Sequence, residues 1–69
     1  MENTITPASV KARVKAIDRI KADDEAAHSD EDILHQDVLQ AIADGAAHPA
    51  DLARAALETK KLDFQRWCA

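Results

Sequence analysis

His28, Asp32 and His35 stand close together, and a divalent metal site is the first chemistry they suggest. Asp32 and His35 are spaced i, i+3, and Glu31 and His35 are spaced i, i+4. On one helix these spacings put side chains on a common face, where they can share an ion. A closed site needs a third or fourth ligand from elsewhere. Only His48 and scattered carboxylates are left to supply it. The expectation is that the chain holds no metal and no other cofactor.

The nucleophiles lead to the same kind of answer. Cys68 is the single thiol and follows Trp67 at the tail of the sequence. A fixed base and oxyanion donors are hard to assemble around such a position. Ser9 and Ser29 are better read as residues of helix N-termini. Gly45 is the only glycine, so no glycine-rich phosphate loop is possible. No enzymatic activity is expected.

What is left is chemistry of contact. Lys11, Lys15 and Arg19 follow i, i+4 spacing and share one helix face, which can meet an acidic partner or track phosphates. Phe64 and Trp67 are the only aromatic residues, both in the final stretch "LDFQRWCA". Leu62 and Phe64 are expected to close the end of a helical bundle. Arg66 and Trp67 are expected to form a partly exposed binding foot, since Trp and Arg are enriched among interface hot spots.

These side chains must be positioned by a small body. The chain has 69 residues and allows one domain at most. Its apolar fraction of 46% includes a large share of alanine, which favours helices but buries little area. So thin a core makes self-association an expectation from composition alone. A formal charge of −4 argues against general nucleic-acid or anionic-membrane binding. No apolar run approaches a membrane span, and "MENTITPAS" lacks the features of a signal peptide. With one cysteine, a reducing cytoplasm is the expected location.

The pattern predicts an all-α domain over residues 7–69, preceded by a flexible N-terminus over residues 1–6. Thr6 caps a first helix with Pro7 in its first turn, and Val10, Val14, Ile17 and Ile20 form its stripe. That helix is expected to run to about residue 27, despite the acidic Asp23, Asp24 and Glu25 crowding its C-terminal half. Ser29 is expected to cap a second helix that stops at Gly45. Pro49 opens a third, and Asp63 caps a last short turn. Leu34, Val38 and Ile42 make the centre of helix two, with Ile33 and Leu39 projecting to either side. An arc this wide points to burial on more than one flank, and a helical homodimer is the expectation.

The stretch "VLQAIADGAAHPADLARA" resembles part of winged helix-turn-helix regulators. The resemblance rests on Val38, Leu39, Ile42, Ala43, Asp44 and Gly45, where a helix ends, and on Asp51, Leu52 and Ala53, where the next begins. It implies a small DNA-binding regulator. The sequence then departs from that family. A recognition helix and a β-wing should follow, but "ALETKKLDFQRWCA" offers only Lys60, Lys61 and Arg66 as bases. The reading drawn from size, charge and the lack of catalytic motifs is a non-enzymatic protein-interaction module. It would be an accessory or inhibitor protein of the phage type that modulates a partner protein. A DNA-binding regulator or an antitoxin-like subunit is the alternative.

Overall fold

A computed structural model of the chain describes residues 5–66. Three α-helices follow one another: α1 (Pro7–Arg19), α2 (Asp24–Ala43) and α3 (Pro49–Leu57). A single 3-10 turn (Glu58–Lys61) continues α3, and residues 62–66 run on without helix. No strand occurs among the described residues. The all-α, three-helix architecture read from the sequence is the observed one.

The start of α1 forms as its residues dictate. The Thr6 hydroxyl accepts the Ser9 N–H at 3.1 Å, and the Ser9 hydroxyl accepts the Thr6 N–H at 2.9 Å. Two donors that the first turn would leave unpaired are thus satisfied reciprocally. Pro7 occupies the first turn, where its missing N–H costs nothing. Ile5, just before the cap, packs against the core.

The first helix is shorter than predicted. It ends at Arg19 rather than near residue 27, and a turn over residues 20–23 redirects the chain. The second helix begins at Asp24 and is capped by Asp23, not by Ser29. The Asp23 carboxylate accepts the Ala26 N–H at 3.1 Å. Asp24 and Glu25 lie in the first turn of α2, where the helix dipole favours negative charge. The acidic cluster that sat badly at the end of one long helix is therefore the start of the next. Ser29 falls inside α2 and is exposed.

The later boundaries follow the sequence more closely. Gly45 takes a φ of 88°, a left-handed value that glycine adopts freely after a helix end. Pro49 opens α3. Before it, His48 has a φ of 57° and makes no side-chain cap, so a non-glycine residue carries a left-handed backbone. Among the described residues Asp63 caps no turn: the last described helical turn precedes it, and it is exposed in the segment that follows.

All three helices pack on one another, and the 3-10 turn packs on α1 and α3. Val10 and Ile17 of α1, Ala27, Leu34 and Val38 of α2, and Leu52, Ala55 and Ala56 of α3 form the buried centre. Phe64 closes it from the tail, and Leu62 is half-buried against it. Ala27, Ala55 and Ala56 let the helix backbones approach, which explains how so few large side chains fill the centre.

Candidate functional site

Within α2 the expected centre divides. Leu34 and Val38 are fully inside, and Ile42 is half-buried against them. Ile33 and Leu39 remain 48% and 67% exposed. They lie on opposite flanks, as their spacing around the helix requires. Ile33 stands beside Arg13, Ala16 and Ile17 of α1. Leu39 stands on the α3 side, at a cleft of about 220 Å³ lined by His35, Val38, Leu39, Ile42, Ala53, Ala56 and Leu57. Leu57, 59% exposed, faces it across the cleft. Among the described residues no Asp, Glu, Lys or Arg lines this cleft.

The polar centre of the molecule is one that the sequence did not reveal. Glu31, which the sequence offers only as a metal-ligand candidate beside His35, is 1% exposed within α2. Arg66 meets it with two parallel bonds, Nε to Oε1 at 2.9 Å and Nη2 to Oε2 at 3.1 Å. The same guanidinium donates to the carbonyls of Thr59 at 2.7 Å and Phe64 at 3.2 Å. It also lies 3.9 Å from the centre of the Phe64 ring. Arg66 is thus turned inward, with its donors engaged by its own chain. Burial pushes the Glu31 carboxyl up. Hydrogen bonds from Arg66 and Thr59, with the charges of Arg66 and Lys60, outweigh that push and hold it below its ordinary value.

The same arrangement bears on the residues that suggested a metal site. His28, Glu31 and Asp32 can bring ligand atoms within 4.8 Å of one another. But both Glu31 oxygens already face a guanidinium, which puts a fixed cation against the ligand that a metal would need. His28 and Asp32 lie 3.5 Å apart and pair with each other. His35 points elsewhere, its Nε2 lying 3.1 Å from the Ala56 carbonyl and 3.0 Å from the Thr59 hydroxyl. Histidine and carboxylate here knit α2 to the end of α3.

The basic residues of α1 take two different roles. Arg13 pairs with Asp37 at 3.0 Å and ties α1 to α2. Lys11 and Lys15 are exposed and line an open groove of about 670 Å³ between α1 and α3. Arg19 continues their row and is exposed. None of these three makes an ion pair among the described residues. Trp67, the other half of the expected foot, and Cys68 lie outside the described residues.

No protein-family model, curated protein or solved structure matches the chain. No described helix is long and apolar enough to cross a membrane.

Proposed function

We propose that this chain is a non-enzymatic protein-interaction module that works as a helical homodimer and modulates a partner protein as an accessory or inhibitory factor. The observation that carries the reading is the uncharged cleft between α2 and α3, with Leu39 and Leu57 standing exposed across it. Full burial of one such leucine contributes about 1.5–3 kcal/mol, and a core this thin has reason to use it.

A second copy suits the cleft by charge as well as by shape. Lys60 approaches Glu31 at 4.0 Å, so the end of α3 lies beside the N-terminal half of α2. Asp32 of α2 and Lys60 and Lys61 at the end of α3 are all more than half exposed, and each keeps only a surface partner or a long 4.0 Å contact within its own chain. A two-fold axis along the cleft sets α2 of one copy on α3 of the other. It brings Leu39 to Leu57 and Asp32 to the lysines, in an arrangement that repeats symmetrically.

Light scattering across a micromolar concentration series tests this. The expected result is a dimer mass for the natural chain and a monomer mass for Leu39→Glu, with helical circular dichroism retained. A monomer mass for the natural chain throughout the series would overturn the homodimer.

A further inference from the structure

The groove between α1 and α3 is built differently from the apolar cleft, and it lies on another side of the bundle. Its apolar residues are Pro7, Val14 and buried Ala55. Along α1 stand Lys11 and Lys15; along α3 stand Asp51, Arg54 and Glu58. The charges of the two walls are not equivalent. Arg54 pairs with Asp51 at 3.2 Å, and Lys61 pairs with Glu58 at 3.2 Å. The acids of the α3 wall are thus answered locally, and among the described residues Lys11 and Lys15 are left as the uncompensated charges of the groove. They stand out on a chain whose formal charge is −4.

We infer that this groove docks an acidic amphipathic helix of a partner protein, laid along α1 with carboxylates at i, i+4 against Lys11 and Lys15. The inference rests on the reading of the chain as a protein-interaction module. Four helical residues advance about 6 Å, so two carboxylates at that spacing match the two lysines in register. Arg19 extends the row by one further step. The apolar face of the same helix meets Val14, Pro7 and Ala55, which gives the groove something to bind besides charge. A nucleic acid fits less well, because its backbone has no apolar side to offer Pro7, Val14 and Ala55 on the floor. Exposed cations set encounter rate and orientation more than affinity, so the contact is weak and salt-dependent.

The test uses the full chain and four probes: a helical peptide with a leucine stripe and glutamates at i, i+4, its glutamine analogue, its lysine analogue, and a short DNA duplex. Binding is followed by nuclear magnetic resonance of the labelled chain in low salt. The acidic peptide is expected to shift the amides of Lys11, Val14, Lys15 and Ala55 and to bind about tenfold more tightly than the glutamine analogue. K11E/K15E is expected to lose that preference and to gain one for a peptide with lysine in place of glutamate, a reversal that misfolding cannot produce. The inference is overturned by equal binding of the acidic peptide and its glutamine analogue, by shifts confined to the α2–α3 cleft, by tighter binding of DNA, or by no binding at all. Light scattering of the same samples keeps the two proposals separate. A dimer that ignores the acidic peptide removes only the groove, and a monomer that binds it removes only the homodimer.

Discussion

Arg66 grips Glu31 from 35 positions away in sequence, through two nearly parallel bonds of 2.9 and 3.1 Å. The carboxylate is inside the molecule, and the guanidinium is about a quarter exposed. Taking a carboxylate out of water costs several kcal/mol, which a paired guanidinium offsets only with good geometry. Here the geometry is good, and the bonds to the Thr59 and Phe64 carbonyls fix the guanidinium further. The residue expected to reach outward thus fastens the tail to α2.

Removing the cation strands a buried carboxylate. Arg66→Ala should cost about 3 kcal/mol, a large part of the total for a domain of this size. Adding Glu31→Leu to that variant should restore most of the loss, because no charge then remains inside. Urea unfolding of both variants gives the comparison. A loss below about 0.5 kcal/mol for Arg66→Ala would place the ion pair among the weak surface pairs.

Acid should release the same contact. The folded-state Glu31 carboxyl sits below its ordinary value, so the unfolded chain takes up the proton first. The stabilisation is then fully present above the unfolded carboxyl's pKa, about 4.3, and is lost as pH falls through the lower folded value. Thermal midpoints should fall below roughly pH 4.3 for the natural chain and fall less steeply for Glu31→Gln. Identical acid limbs in the two proteins would show that other carboxylates govern the loss.

Val38 is 2% exposed in the middle of α2. Val38→Asp would bury a charge with no partner and should abolish the cooperative transition. A helical spectrum and thermal midpoint like those of the natural chain would mean that the wrong face of α2 is inside.

The connection between α2 and α3 offers two substitutions of opposite sign. Gly45→Ala forces a side chain into a φ of 88° and should cost about 1 kcal/mol, although nothing lies within 4 Å of the added carbon. His48→Gly relieves a left-handed φ of 57° and should gain up to about 1 kcal/mol. Thermal unfolding reads both. A gain for Gly45→Ala together with a loss for His48→Gly would mean that packing, not backbone conformation, sets this turn.

The sequence makes plain those boundaries that carry local punctuation. Thr6 acts through a hydroxyl three residues from its partner, and Pro7, Gly45 and Pro49 act through their own backbones, so the helix ends fall where they stand. The break after Arg19 has neither glycine nor proline, and Asp23 and Ser29 are both good caps. Charge could have decided between them, since Asp24 and Glu25 favour the start of a helix over its end. The burial of Glu31 was hidden for a different reason. A glutamate is worth burying only beside a cation, and its cation is set by the path of the tail. Leu34 and Val38 were legible as core, and Ile33 and Leu39 as flanking residues, because helical spacing alone fixes their directions.

The tail contacts also set an order of events during synthesis. The Gln65 N–H donates to the Asp24 carboxylate at 3.1 Å, and Arg66 meets Glu31 about two turns further along α2. Both acids leave the ribosome well before the residues that answer them, at a pace of about 5–20 residues per second. Until Arg66 emerges, closing the bundle would trap Glu31 without its cation. A bundle that closes before residue 66 is made therefore carries the cost of an unpaired buried carboxylate, and that cost is lifted when Arg66 docks.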